Sequence, residues 1–192
     1  MRNILFLILS LFLFEGNASA QQLPKVEMKT KWGVITMEID TLKAPVTGKN
    51  FLMHVKNGTY KDAVFYRVVR LDNQPNNDVK IEVIQGGLFD DKQIDQISPI
   101  SHETTEVTGI KHRDGTLSMA RNAPGSASTE FFICVGDQTE LDYGGTRNPD
   151  GQGFAAFGNV VSGMDVVRKI QQEKDTTQYL VDPVKIELTL VK

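Results

Sequence analysis

The sequence holds 192 residues, 40% of them hydrophobic and 23% charged, with 16 Gly and 7 Pro, which excludes a disordered or collagen-like chain and fits one globular domain. Its 24 acids against 21 bases leave a formal charge of -3, so there is no bulk electrostatic case for nucleic acid or an anionic membrane surface. A single Cys excludes an internal disulfide framework and any zinc site built from several thiolates.

Residues 1–20 read as a segment apart from the domain. Arg2 is followed by the apolar run Ile4 to Phe14, broken only by Ser10, and then by Ala18-Ser19-Ala20. That is the order of a secretory signal peptide with an A-x-A cut, and the run is shorter than the ~20 apolar residues a membrane span needs. The expected mature chain starts at Gln21, is exported, and has no membrane attachment once cut. It forms a single domain over 21–192.

Short strands dominate the rest of the chain. Val34–Ile39 alternates Ile35, Met37 and Ile39 against Thr36 and Glu38, and Val26–Thr30 can pair with it across Lys31-Trp32-Gly33. Ala44–Asn57 reads as a helix, with Pro45 in its first turn and Gly58 just past its end. Phe65–Val69, Ile81–Gln85, Thr116–Ala120, Phe131–Val135 and Ala155–Val160 are further β-rich runs. Ser162–Lys174 reads as a second helix with Met164, Val167 and Ile170 on one face, and Val184–Val191 alternates as a last strand. About eight strands and two helices, with the last strand able to meet the first, predict a mainly β fold: a closed eight-stranded antiparallel barrel capped by two α-helices. Such a barrel fills its interior with side chains, so a binding site falls on its outer wall.

Three loops are long for this architecture: Leu71–Lys80, Arg121–Thr129 and the glycine-rich Asp142–Gly153. None carries a nucleophile elbow, and His54, His102 and His112 lack the spacing of a metal site, so each is expected to be a surface or satisfied histidine. Cys134, in the apolar run Phe131–Val135, is expected to be a small buried hydrophobe. What remains is one cation among apolar residues. Strand alternation puts Arg67 on the face of Phe65 and Val69, where an unpaired buried charge would need a purpose. Gln85 precedes Gly86-Gly87, where backbone can be approached closely.

Phe65-Tyr66-Arg67-Val68, Val83-Ile84-Gln85-Gly86-Gly87, Gly115-Thr116-Leu117-Ser118-Met119-Ala120 and Glu130-Phe131-Phe132-Ile133-Cys134 resemble the ordered signature segments of cyclophilins. Phe157-Gly158-Asn159-Val160 and Ser162 to Val167 resemble that family's closing strand and helix, and the likeness runs from about Met28 to Lys192. The overall look is closest to the bacterial exported branch, which implies a periplasmic location.

The resemblance implies a barrel that isomerises peptide bonds preceding proline, without cofactor or metal, acting on proline-containing polypeptides during the folding of exported proteins. Arg67 matches the family's catalytic arginine, and Gln85 the glutamine that orients substrate and supports that arginine. Met119 and Phe132 match the floor of the proline pocket and Leu141 its wall, while Ala120 and Arg121 align with the segment whose backbone binds the extended peptide. Phe154 stands where some members carry histidine. Three departures weigh toward an alternative, a peptide-binding module with little turnover. Glu130 replaces a glutamine and could pair with Arg67; Glu140 stands where an aromatic is usual, so weak binding of cyclosporin is expected. The usual upstream phenylalanine aligns near Glu82, with Ile81 or Val83 able to fill its place. Nothing in the sequence suggests an obligate oligomer, and a monomer is expected.

Overall fold

The computed structural model describes residues 22–191, so the expected signal peptide and its cut lie outside the described residues. Ten strands and four short helices follow in chain order: β1 (Lys25–Thr30), β2 (Gly33–Ile39), α1 (Pro45–Lys56), β3 (Val64–Val69), β4 (Val83–Gly87), α2 (Asp91–Ile94), α3 (Thr105–Thr108), β5 (Thr116–Met119), β6 (Phe131–Cys134), β7 (Ala155–Ser162), α4 (Met164–Gln171), β8 (Asp175–Thr176), β9 (Tyr179–Lys185) and β10 (Glu187–Leu190). The strands make one antiparallel sheet in the order β10-β1-β2-β7-β5-β6-β4-β3-β9-β8.

The strand count differs from expectation. The sheet has ten strands rather than eight, and its hydrogen-bonded order runs from β10 to β8. The physical reason is visible at Ile186. The C-terminal run that reads as one strand pairs with β3 on one side of this residue, through Val184 and Lys185, and with β1 on the other, through Glu187 to Leu190. Ile186 itself is fully buried and donates its N–H to the Ala63 carbonyl at 3.1 Å. The capping helices number four, because α2 and α3 are single turns too short to leave a periodic signature. Helix α4 is shorter than expected and starts without a side-chain cap, its Gly163 lying in the left-handed region with φ 94°.

The strand alternation translates into the core directly. Ile35, Met37 and Ile39 on β2 are fully buried, as are Val26 and Met28 facing them from β1. Phe51 of α1 packs against Tyr60, Phe131 and Phe157 with ring centroids 5.1–5.6 Å apart, an aromatic cluster at the centre of the molecule. Cys134 is fully buried and free, as its apolar neighbours require. A second, smaller apolar cluster lies apart from the main core: Val69, Ile81, Val83, Phe132, Cys134 and Leu141, with Ala120 and Phe154 packed on it.

Candidate active site

The second apolar cluster opens into a groove of about 540 Å³. Strands β3, β4 and β6 contribute Arg67, Val83, Gln85 and Phe132, and the chain just beyond β5 contributes Ala120 and Arg121. Leu141 and Phe154 enter from either end of the 142–153 loop, and Glu130 precedes β6.

Arg67 reaches this groove because β3 is irregular. Phe65 lies opposite Gly86 and Arg67 opposite Gln85, so Tyr66 is an extra residue on β3, and the pairing with β9 is interrupted at the same place, where Phe65 faces Val184 and Arg67 faces Tyr179. Such a bulge re-aims the side chain that follows it. Phe65 and Val68 therefore point into the main core, whereas Arg67 and Val69 face the groove. The expectation that Arg67 shares a face with Phe65 is corrected by this one inserted residue.

The guanidinium is held on two edges. Its Nη1 donates to Gln85 Oε1 at 2.8 Å, while Nε and Nη2 both donate to Gln178 Oε1, at 3.0 and 2.5 Å. Gln85 in turn donates through Nε2 to the Tyr66 hydroxyl at 2.7 Å. Burial pushes the Arg67 guanidinium down from its ordinary value, opposed by Tyr179 and Tyr66; arginine nonetheless stays a cation in proteins. Three of its five N–H groups are committed, and the other two are free to meet a ligand.

Glu130 does not pair with Arg67. Its Oε1 accepts the Leu88 N–H at 2.7 Å, and the carboxylate lies against the bare side of Gly87, whose φ is 147°. The Tyr66 hydroxyl faces the same carboxylate, so Glu130 touches the arginine only through Tyr66 and then Gln85. Burial raises the Glu130 carboxyl above its ordinary range, and burial followed by the Glu130 charge raises the Tyr66 hydroxyl. Glu140, also exempt from the site, turns outward and accepts from the Thr146 amide and hydroxyl.

The apolar lining differs from expectation at one residue, Met119, expected on the floor beside Phe132. Met119 is fully buried in the main core and does not line the groove, because β5 alternation sends it inward. Val83 and Ile81 line the groove instead, on either side of Glu82. Phe132 forms the floor, edge-on to Phe154 with centroids 5.3 Å apart. Beneath Phe132, the buried His112 ring stacks at 6.0 Å, bonded to Asp142 through Nδ1 at 2.8 Å and to the Ser118 hydroxyl through Nε2 at 2.9 Å. His112 is the satisfied histidine the sequence suggests, and it stiffens the pocket floor. Arg121 borders the groove with its side chain 1% exposed. That side chain grips Asp150 with two bonds of 2.8 and 2.9 Å, the Gly153 carbonyl, and the Phe154 ring.

Several groove residues escaped the sequence reading. Arg147 is a third arginine of the groove, delivered by the 142–153 loop and tied to the Val79 carbonyl of the 71–80 loop. Tyr66, Phe89 and Tyr179 form an aromatic rim beside Arg67, Tyr66 and Phe89 stacking at 4.5 Å. Arg147 and Phe89 come from loops, Tyr179 from a strand end and Tyr66 from the bulge of β3, where no periodicity marks them; the length of the loops was the only available signal. Among the described residues, no cluster of His, Cys, Asp or Glu could hold a metal ion.

A cation fixed at the edge of an apolar groove can donate a hydrogen bond to a peptide whose apolar side chain is held still. Comparison with known proteins agrees with that chemistry. Residues 25–191 match the family model described as cyclophilin type peptidyl-prolyl cis-trans isomerase/CLD. The chain is similar to a peptidyl-prolyl cis-trans isomerase of Acinetobacter baylyi, 38% identical over 89% of this chain and 83% of that one. It is also similar to peptidyl-prolyl cis-trans isomerase B of Escherichia coli, 40% identical over 76% of this chain and 83% of that one. Among solved structures, a Cryptosporidium parvum cyclophilin type isomerase superposes with a TM-score of 0.70 at 20% identity, covering 88% of this chain and 98% of that one. The same parasite protein was also solved in the presence of the dipeptide Ala-Pro, and that structure matches with a TM-score of 0.69.

Proposed function

This chain belongs to the cyclophilin-type peptidyl-prolyl cis-trans isomerases, and from that membership we propose how its groove isomerises an X–Pro bond and where in the cell it does so. The uncatalysed barrier is ~18–20 kcal/mol because the peptide C–N bond has double-bond character. Phe132, Leu141, Val83, Ile81 and Phe154 hold the proline ring, and the chain preceding it rotates. As the bond twists, the prolyl nitrogen gains lone-pair character, and a free N–H of Arg67 donates to it. That bond is stronger in the twisted state than in either planar one, so it lowers the barrier rather than merely tightening binding. An acceleration of five orders requires ~7 kcal/mol. No covalent step and no cofactor enter.

The observation that carries this reading is the Arg67 guanidinium, fastened by Gln85 and Gln178 with two N–H groups left over at the pocket edge. The alternative of a module with little turnover loses its support, since Glu130 is turned to the Leu88 amide and Glu140 to Thr146. Isomerisation of a short X–Pro peptide, followed by protease-coupled assay, should fall about a hundredfold or more in Arg67→Ala. Equal rates in the two proteins would remove the assignment.

The substrates are proline-containing polypeptides, and the groove is open enough to take an extended chain along Ala120 and Arg121. Residues 1–20 direct export, placing a monomeric enzyme over 21–192 in the periplasm, where it assists folding of exported proteins. N-terminal sequencing of the mature protein should begin at Gln21; an intact Met1 would overturn export by cleavage. Cyclosporin binds weakly, because Glu140 offers no aromatic surface. The sheet also reads as a barrel, its seam made by one chain segment bent at Ile186 rather than by a tenth ladder.

A further inference from the structure

The hairpin between β8 and β9 turns at Thr177 and Gln178, and both residues lie in the left-handed region, with φ of 49° and 77°. Two adjacent left-handed residues make the hairpin turn that Asn-Gly or Gly-Gly normally supplies, because side chains other than Gly, Asn and Asp are strained there. Neither residue here is of the preferred kind. Strain of this sort persists where surrounding contacts over-determine it, and it gathers at functional sites.

All four polar groups of Gln178 are used. Its Oε1 accepts Arg67 Nε and Nη2 together, and its Nε2 donates to the Asn73 carbonyl at 3.0 Å. Its backbone N–H donates to Asp175 Oδ2 at 2.9 Å, and its carbonyl accepts the Val68 N–H at 2.8 Å. Asp175 is itself pinned by Arg70 and by the Asn73 amide. Gln178 thus joins the arginine to the base of the 71–80 loop and to the strand that carries the arginine. Gln85 restrains only the Nη1 corner of the guanidinium; with that contact alone the planar group can still swing about it. The second anchor fixes the plane.

We propose that Gln178 is a positioning residue for Arg67, and that the strained turn is retained because it aims this glutamine at the guanidinium. The proposal rests on the isomerase reading above and is tested beside it. Gln178→Asn suits a left-handed backbone better than Gln but is one methylene short of Arg67. It should lower kcat by about tenfold with KM nearly unchanged, as a small misplacement of a catalytic group does. Gln178→Glu keeps an acceptor of full reach and should restore most of kcat. Thr177→Gly relieves strain in the same turn without touching the arginine, and should leave kcat unchanged. In NMR spectra the Arg67 Nε–H should be protected from solvent exchange in wild type and Gln178→Glu, and lose that protection in Gln178→Asn. If Gln178→Asn keeps wild-type kcat and Nε–H protection while Arg67→Ala is inactive, this proposal fails and the isomerase reading stands. If Arg67→Ala is itself fully active, the isomerase reading fails first. A kcat loss equal in Thr177→Gly and Gln178→Asn would assign the effect to turn structure and overturn the proposal.

Discussion

Glu130 shows how one substitution within a signature segment is absorbed locally. Its carboxyl is raised above the ordinary 4.5 by burial, the Tyr66 hydroxyl and the Leu88 and Phe89 amides opposing that rise. Oε2 has no hydrogen-bond partner within bonding distance among the described residues. A carboxyl with a raised folded value binds more protons folded than unfolded, so its contribution to stability falls as pH rises from about 4.5 through the folded value. Glu130→Gln removes that charge, keeps an acceptor for Leu88, and gains an amide donor for the Tyr66 hydroxyl. The variant should therefore melt above wild type at pH 7, with the gap closing as the pH falls through the raised folded value to about 4.5. Thermal melts at stepped pH measure this; a gap that widens on acidification would contradict it. The reach of Glu130 to Arg67 through Tyr66 and Gln85 also means that kcat should respond to this variant less than to Arg67→Ala.

At the scale of elements, the site depends on where regular structure is interrupted. The extra residue in β3 turns Arg67 out of the core, and a strand without that bulge would bury the cation beside Phe131. The 142–153 loop is ordered by Arg121, whose buried side chain clamps Asp150 and Gly153 and lies against Phe154. Arg121→Ala removes the clamp and frees the Phe154 wall. KM for a proline peptide should rise severalfold while kcat falls less, and the loop should become cleavable by protease. A variant with wild-type KM and an uncleaved loop would show that the clamp is dispensable.

Across the whole molecule, core and groove are separated by the two faces of one strand. Phe131 points into the aromatic cluster with Phe51, Tyr60 and Phe65, whereas its neighbour Phe132 floors the groove. Phe131→Ala should cost about 3–5 kcal/mol of stability, the range for a fully buried aromatic. Phe132 is buried as well, so Phe132→Ala should cost a comparable amount, yet it alone should abolish most activity. Urea denaturation and the isomerisation assay, run on both variants, separate the two roles. Similar stability losses with similar activity would mean that the sheet does not divide core from pocket in this way.

Alternation alone determined the principal strands, the helix over 45–56, the core face of β2 and the burial of Cys134, because period-2 and period-3.6 patterns are local consequences of which face avoids water. The ordered motifs also pointed to Arg67, Gln85 and Phe132, which the fold brings to one groove. Tertiary structure alone decided which way Arg67 points and that Val83, not Met119, lines the pocket. It also decided that Glu130 faces Leu88, and that Gln178 returns from more than a hundred residues away to hold the arginine. A bulge, a turn conformation and a contact between distant segments leave no period in the chain. They are set by register across the sheet, and register exists only once the strands have paired.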